Sequence, residues 1–293
     1  MIYSKPIVEV IQSRFSCRTY TGDQIAPEKQ QMLRNFIGKL QIGPLDTPVR
    51  FVLAAADDQD RKALRGLGTY GLIRGAAGFV VGVMSLGGRN LEDYGYCLEQ
   101  IVLYLTDLDL GTCWLGGNFT RSSFARKITA APEERLPAVV AIGAIADEAQ
   151  ARRALLRQGV SADTRLPWQD LFFDGKFDAN LTREKAGPYA IPLEMVRLGP
   201  SASNKQPWRV IQASNAYHFY LQRTKGYPIG LAKTLLRIDD LQRVDLGIAM
   251  CHFQLTAREL GLKGSWMLQE PPIDKPNSMC EYTISWIKDD VVE

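Results

Sequence analysis

The sequence is poor in the residues that build metal sites and disulfide frameworks. Its 293 residues include two histidines and five cysteines. Because the cysteines are odd in number and show no Cys-x-x-Cys spacing, they argue against a disulfide framework and favour a reducing compartment. A histidine-rich metal site is equally unexpected, and we predict no bound metal.

Long apolar runs and long basic runs are also missing. The longest apolar stretch, GAAGFVVGVMSLGG, is interrupted by glycine and is too short to span a bilayer. The N-terminal MIYSKPIVEVIQSRF lacks the uninterrupted apolar core of a signal peptide. The net charge is +3, and no basic run is longer than Arg152-Arg153. We therefore expect a cytoplasmic protein without a membrane or nucleic-acid partner, which binds a small anion at most.

Common catalytic signatures are missing as well, including GxxxxGK[ST], GxSxG and HExxH. The segment GLGTYG, residues 66–71, matches a dinucleotide-binding fingerprint, but here a predicted helix precedes the glycines and a predicted strand follows them. That order favours a helix-terminating turn over a Rossmann site. His252 lies in an apolar helical pattern that is typical of a hydrogen-bonded core residue. We predict no catalytic side chain.

The clearest pattern that is present is an internal repeat. The segment DYGYCLEQIVLYLTDLDLGTCW, residues 93–114, aligns with DLGIAMCHFQLTARELGLKGSW, residues 245–266, with six identities in 22 positions. Average composition predicts about one or two. Tyr94, Leu98 and Ile101 recur at helical spacing, and the second copy is apolar almost all round, so each copy predicts a long core helix. Chance similarity between two core helices is the alternative.

A second match supports a duplication. GPLDTPVRFVLAAA, residues 43–56, and GPSASNKQPWRVIQAS, residues 199–214, share Gly-Pro, then Pro-x-Arg, then a β-branched run. Between Gly-Pro and Pro-x-Arg the first copy is three residues shorter, and it has lost every polar side chain there but Asp46 and Thr47. The charged segment between the two halves predicts a connection that wraps the surface. We predict a first half at 1–160, a connecting segment at 161–185 and a second half at 186–293.

The remaining patterns predict strands at 50–54, 78–84, 138–145, 209–212 and 282–287. Helices and strands alternate without a regular βαβ period, which favours an α+β fold over a doubly wound sheet.

The segment SRFSCRTY is the best candidate for an anion site. In an extended chain Arg14, Ser16 and Arg18 share one face, while Phe15 and Cys17 pack behind it. Two guanidinium groups and a hydroxyl are suitable donors to a phosphomonoester. A solvated surface segment is the alternative reading.

Together these segments resemble the FMN-dependent nitroreductase family, and more closely its duplicated branch, the TM nitroreductases. RFSCRTY looks like the family's phosphate motif. GPSASNKQPW looks like its Pro-Ser-x-x-Asn-x-Gln-Pro-Trp segment, which in the usual homodimer reaches the flavin from the opposite subunit. DLGTCWLGGNF, residues 109–119, looks like the segment whose backbone approaches the flavin ring.

The resemblance implies an FMN-binding oxidoreductase with a nitroreductase-like α+β fold, in which two fused halves imitate the family's dimer. Its implied cofactor-binding residues come from both halves: Arg14, Ser16, Arg18, Gly116, Gly117, Arg152, Arg153, Pro200, Ser201, Ser203, Asn204 and Gln206. The match at Arg152 and Arg153 is loose. Many family members have Glu at the position of Leu115 or Gly116, and this chain does not.

The expected reaction passes hydride from NADH or NADPH through FMN to a small acceptor such as a nitroaromatic or a quinone. Two alternatives remain open: a non-catalytic FMN or nucleotide-binding module on a degenerate scaffold, and a flavin-converting or dehalogenating enzyme. The Arg-Ser-Arg motif occurs only in the first half and the polar loop only in the second. We therefore expect one FMN per chain, in a monomeric pseudo-dimer or with halves exchanged between chains.

Overall fold

A computed structural model describes residues 2–55, 71–117, 119–147, 164–227 and 239–289. Its helices are α1 (Ile7–Ser13), α2 (Pro27–Ile37), α3 (Asn90–Asp107), α4 (Arg121–Ile128), α5 (Arg183–Ala186), α6 (Ala190–Leu198) and α7 (Leu241–Glu259). Its strands are β1 (Val49–Ala55), β2 (Gly78–Met84), β3 (Gly111–Leu115), β4 (Val139–Gly143), β5 (Phe172–Asp174), β6 (Lys176–Asn180), β7 (Trp208–Ala213), β8 (Ala216–Gln222), β9 (Gly264–Met267) and β10 (Cys280–Lys288). Residues 66–70 of the predicted turn and Arg152-Arg153 lie outside the described residues.

The strands form two sheets that share an arrangement. The first sheet has the order β1-β2-β4-β3 with antiparallel neighbours. The second has the order β6-β5-β7-β8-β10-β9, and its last four strands follow one another as β7-β8-β10-β9. All neighbours in the second sheet are antiparallel except β5 and β7. Helices combined with largely antiparallel sheets agree with the predicted α+β class.

The two long helices predicted from the repeat are confirmed as α3 and α7, and they pack against each other. Tyr94, Leu98 and Ile101 on α3 are fully buried. The helices approach most closely at equivalent positions of the repeat. A Cβ on Gly95 would overlap the carbonyl of Val244, and a Cβ on Gly247 would overlap the carbonyl of Glu92. The absence of a side chain at both positions is what allows the backbones to touch.

The predicted strands are confirmed as β1, β2, β4, β7 and β10, but the sequence reading missed β3, β8 and β9. Each copy of the repeat is a helix followed by a strand, with Trp114 in β3 and Trp266 in β9. No helix in the described part of the chain has the length and apolar character needed to cross a bilayer. All five cysteines are buried free thiols.

The expectation that residues 161–185 wrap the surface is wrong for part of that segment. Strand β5 pairs in parallel with β7, and β6 pairs with β5. Leu171 and Phe172 are fully buried. Because β5 has only three residues and lies between two other strands, it leaves no alternating pattern to detect. The chain that follows the first sheet thus adds two strands to the second sheet.

Candidate functional site

The segment that carries the two arginines runs alongside strand β3. Helix α1 ends at Ser13, and three residues later Ser16 forms a parallel bridge with Thr112. The N–H of Cys17 donates to the Thr112 carbonyl at 2.8 Å. Phe15 and Cys17 are buried in one hydrophobic cluster, whereas Ser16 is only partly buried. This is the extended backbone with an apolar face that the sequence pattern predicts.

Arg18 hydrogen-bonds Cys113 in the middle of β3, and Arg14 lies near enough for its charge to act on the same thiol. Burial raises the pKa of the Cys113 thiol, while the charge of Arg18, a hydrogen bond from Arg18 and the charge of Arg14 oppose that increase. Arg14 is itself nine-tenths buried. Two guanidinium groups therefore converge near one point of the first sheet. Such a pair provides charge-assisted donors that suit a phosphate group.

Strand β3 ends at Leu115 and is followed by Gly116 and Gly117, the two glycines predicted to approach the flavin ring. A Cβ on Gly116 would lie 2.5 Å from a methyl carbon of Leu241, the first residue of α7. The space that a larger side chain at residue 116 would need is thus occupied by Leu241. At Gly117 no atom of the described residues beyond its chain neighbours lies within 4 Å of the Cβ position, and the residue is exposed. A ligand can approach the backbone closely there.

The loop GPSASNKQPW of the second half, residues 199–208 and called the polar loop here, has an unusual backbone. Ser203, Asn204 and Gln206 have φ values of 51°, 53° and 49°, in the left-handed region. Non-glycine residues in sparsely populated backbone regions cost about 1–3 kcal/mol each and cluster at functional sites. The surrounding contacts must therefore hold this loop in place.

Several side chains of the loop are used for that purpose. The Ser201 hydroxyl accepts the Gln206 N–H at 2.9 Å, and the Gln206 side-chain oxygen accepts the Leu166 N–H at 2.8 Å. Asn204 donates to the Thr164 carbonyl at 2.9 Å. Ser203 is exposed. Of the predicted ring ligands in this loop, Ser203 is therefore the one whose side chain faces solvent most openly, while Pro200 is buried.

Two residues outside the loop hold the end of helix α6, from which the loop begins. Arg165 donates to the Leu198 carbonyl at 3.1 and 3.3 Å. His252 donates from Nδ1 to the Met195 carbonyl at 2.8 Å. Cationic groups at the C-terminal end of a helix satisfy its last carbonyls and interact favourably with its dipole. Arg165 was not predicted, because its position in a charged segment, two residues before Pro167, gave no signal.

Helix α7 connects this loop to the first half of the chain. The Ala202 N–H donates to Asp245 at 2.9 Å. Asp245 lies one helical turn after Leu241, so both residues lie on the same face of α7. Leu241 covers Gly116 and Asp245 holds the loop. The first two turns of α7 thus separate β3 with its arginines from the polar loop.

The arrangement contains binding groups rather than a catalytic cluster. Within the described ranges, no group of three or more His, Cys, Asp or Glu side chains is placed to hold a metal. His252 is a hydrogen-bonded core residue, as the sequence pattern predicts. What the geometry offers is a pair of arginines beside β3, an open glycine backbone after that strand and a polar loop, and the last two adjoin the first turns of α7.

Comparison with protein families matches residues 6–257 to the family described as "Putative TM nitroreductase". The fold is similar to a crystal structure of a putative nitroreductase from Thermotoga maritima, with a TM-score of 0.60 and 21% identity, covering 97% of this chain and 94% of that chain. Comparison with curated proteins gives no match.

Two further structures match part of the chain. A putative nitroreductase in complex with FMN from Desulfovibrio desulfuricans has a TM-score of 0.39 and 22% identity, covering 49% of this chain and 88% of that chain. A structure described as an oxidoreductase containing FMN has a TM-score of 0.48 and 20% identity, covering 60% of this chain and 96% of that chain.

Proposed function

This chain belongs to the TM nitroreductase family, and we propose that it is an FMN-dependent oxidoreductase that takes hydride from NADH or NADPH and reduces a small acceptor such as a nitroaromatic or a quinone. The observation that carries the proposal is the pairing of the segment from Arg14 to Arg18 with β3, through the Ser16–Thr112 bridge and the hydrogen bond from the Cys17 N–H to the Thr112 carbonyl. The strand that holds Cys113 leads directly to the open backbone at Gly117. A phosphate group and a flat ring are the two ends of FMN, joined by its ribityl chain, and they need these two kinds of contact.

The residues present fit FMN in charge and in shape. Arg14, Ser16 and Arg18 would hold the phosphate, since two guanidinium groups and a hydroxyl supply several charge-assisted donors. Gly117 would allow the ring to lie against the backbone, as its Cβ position is empty. The left-handed loop would present Ser203 to the ring edge without reorganising, because the side chains of Ser201, Asn204 and Gln206 hold the loop in place.

The proposed chemistry needs no acid, base or nucleophile from the chain. Bound FMN supplies the hydride transfer between the nicotinamide and the acceptor. The chain's own residues bind the phosphate, orient the ring edge and keep the loop rigid. Hydrogen bonds and positive charge at the pyrimidine edge would favour the reduced, anionic cofactor. The chain would thus assist the reaction by positioning the cofactor, and not through a side chain that gives or takes a proton.

We also propose that the two halves imitate the family's homodimer. The shared strand order, the crossing of α3 and α7 at Gly95 and Gly247, and the equivalent carboxylates Asp93 and Asp245 support this proposal. Strand β5 supports the proposal too. It follows the first half in the chain but pairs with β7 of the second sheet. In a dimer whose subunits exchange segments, a segment of one subunit joins the fold of the other in the same way.

The activity is tested by anaerobic reduction of the FMN-loaded protein. On addition of NADH or NADPH the visible flavin band should bleach, and a nitroaromatic or a quinone should restore it. A protein that stays yellow with both donors would be a binding module without turnover. A spectrum of the denatured extract identifies the flavin, so that failure to bind FMN is distinguished from failure to reduce it.

The phosphate contact gives a second prediction. Arg14→Ala or Arg18→Ala should weaken FMN binding about tenfold or more, because each removes charge-assisted hydrogen bonds worth about 1.5–3 kcal/mol. Riboflavin, which lacks the phosphate, should bind nearly as before. Titration of the apoprotein with both flavins measures this. Equal losses for the two would show that the arginines act on the fold or on the ring.

The asymmetry of the halves gives a third prediction, which is one FMN per chain. The second-half counterparts of the arginines are engaged elsewhere: Arg183 lies over the Trp168 ring and pairs with Glu194, and Lys185 pairs with Asp174. The shortened loop of the first half donates its Thr47 N–H to Asp93. Fluorescence titration should therefore reach its end point at one equivalent. Two equivalent sites per chain, or flavin bound beside Asp46 and Thr47, would contradict the prediction.

A further inference from the structure

Asp245 is buried beneath the polar loop and uses only one of its two carboxylate oxygens. Oδ1 accepts the Ala202 N–H at 2.9 Å. Oδ2 is buried without a hydrogen-bond partner among the residues that the structure describes. A buried carboxyl oxygen without a partner is costly, so its position needs an explanation.

The equivalent residue in the first half, Asp93, uses both oxygens. Oδ1 accepts the Leu45 N–H at 2.8 Å and Oδ2 accepts the Thr47 N–H at 2.9 Å. Both aspartates thus reach from a long helix to the loop that follows a Gly-Pro pair. The two halves therefore provide a comparison within a single chain.

The difference arises from one N–H group. Thr47 precedes Pro48, and Gln206 precedes Pro207 at the corresponding place. The loop of the second half is three residues longer than that of the first. Its Gln206 N–H donates to the Ser201 hydroxyl at 2.9 Å instead of to Asp245. The longer loop thus closes on itself and leaves Asp245 with a single bond to it.

We propose that Asp245 is a positioning residue for this loop, fixing its left-handed turn against helix α7 through the Ala202 N–H. The inference rests on the proposed FMN site, because the loop's role there is to face the ring. The loop's other anchors, at Thr164 and Leu166, lie on its far side. Asp245 is on the same helix face as Leu241, which covers Gly116. It therefore sets the separation between the loop and the end of β3.

The neighbourhood of Asp245 indicates which substitution preserves this role. Burial, and next the charge of Asp240, raise the pKa of Asp245, while the Ala202 N–H opposes them. The Tyr227 hydroxyl accepts the Leu241 N–H at 3.0 Å. Burial, together with the charges of Asp240 and Asp245, raises the pKa of Tyr227 to about 12. A neutral side chain that keeps the Oδ1 acceptor should serve as well, so Asp245→Asn is the conservative variant.

The test compares Asp245→Ala and Asp245→Asn with the matched controls Asp93→Ala and Asp93→Asn. In the ligand-free protein, Asp245→Ala should speed amide hydrogen exchange at residues 202–206 about tenfold or more, and Asp245→Asn should leave it nearly unchanged. With FMN, Asp245→Ala should weaken binding about tenfold and shift the flavin absorption band. Asp93→Ala should lower the melting temperature yet leave FMN affinity and the absorption band unchanged.

Unchanged exchange in Asp245→Ala would overturn the positioning role, as would equal loss of FMN affinity in the Asp93 and Asp245 variants. If Asp245→Ala does not fold, Ala202→Pro removes the same hydrogen bond from the other partner and should weaken FMN to a similar extent. Failure of the wild-type protein to bind FMN would contradict the proposed function only, because the exchange experiment needs no flavin.

Discussion

Replacing Gly247 with alanine is expected to lower the free energy of unfolding by about 3 kcal/mol, because the new methyl group would overlap the backbone carbonyl of Glu92. A backbone carbonyl inside helix α3 cannot rotate away as a side chain can, so the two helices must separate. Gly95→Ala should behave in the same way, since its methyl group would meet the Val244 carbonyl. Urea denaturation of the purified variants measures both changes.

The sign of this effect separates helix packing from helix propensity. In an isolated helix, glycine to alanine is favourable by about 1 kcal/mol. A stabilised Gly247→Ala variant would therefore show that α3 and α7 do not touch at this point. Gly87→Ala, in the loop before α3, is a control for the added methyl group alone, because among the described residues no atom beyond its chain neighbours lies within 4 Å of its Cβ position. Its effect should stay within about 0.5 kcal/mol.

The repeat made much of the fold predictable from the sequence. A long buried helix leaves a strong periodic pattern, and the repeat showed that two such helices are equivalent, with glycines at matching positions. The sequence could not show that these glycines face each other, because contacts between distant helices leave no local signal. The repeat's shared Asp, at 93 and 245, was likewise visible as an identity but not as a pair of loop anchors.

Three of the missed strands, β3, β5 and β9, have physical reasons for escaping detection. Strands β3 and β9 follow the long helices after only a few residues, and their apolar residues continue the helical pattern. Strand β5 is short and buried between neighbours, so it does not alternate. Local propensity is overridden in such segments by the sheet that they join. The surface connection predicted for 161–185 failed for this reason.

The candidate site was predictable as a set of segments but not as a set of contacts. The alternation in 14–18 indicated one polar face, and the structure brings both arginines to Cys113. The loop was identified by its composition. In the structure, however, the side chains of Ser201, Asn204 and Gln206 form hydrogen bonds that hold the loop itself in place. Which atoms face a ligand depends on partners such as Leu166 that are distant in sequence. Binding residues and supporting residues therefore looked alike in the sequence.

The polar loop is supported through the centre of the molecule as well as from its surface. The Trp114 indole N–H donates to Glu99 at 2.8 Å, and Glu99 lies 2.9 Å from Nε2 of His252. His252 in turn holds the Met195 carbonyl in helix α6, from which the loop begins. This series of hydrogen bonds thus runs from β3, the strand just before Gly116, to α6, the helix that precedes the loop. Both Glu99 and His252 are fully buried.

Replacing His252 with leucine is expected to cost about 3–5 kcal/mol of stability, because it leaves Glu99 charged and buried with too few donors. Nδ1 of His252 faces a carbonyl and must carry a hydrogen, and the contact between Nε2 and the carboxyl group needs one shared proton. A neutral glutamine at residue 99 can accept from Trp114 and donate to Nε2 of a neutral imidazole, so Glu99→Gln should cost less than about 1 kcal/mol. Urea denaturation of the two single variants tests this difference.

The double variant Glu99→Gln/His252→Leu decides whether charge or volume causes the loss. If the uncompensated carboxylate is the cause, removing the charge should recover at least about 1 kcal/mol relative to His252→Leu alone, since leaving a buried charge unpaired is the larger penalty. The Met195 carbonyl still loses its donor in that variant, so recovery should be incomplete, and amide exchange at the end of α6 should remain faster than in the wild-type protein. If the double variant is as unstable as His252→Leu, the loss comes from packing at the helix crossing, and the buried pair contributes no electrostatic support to the loop.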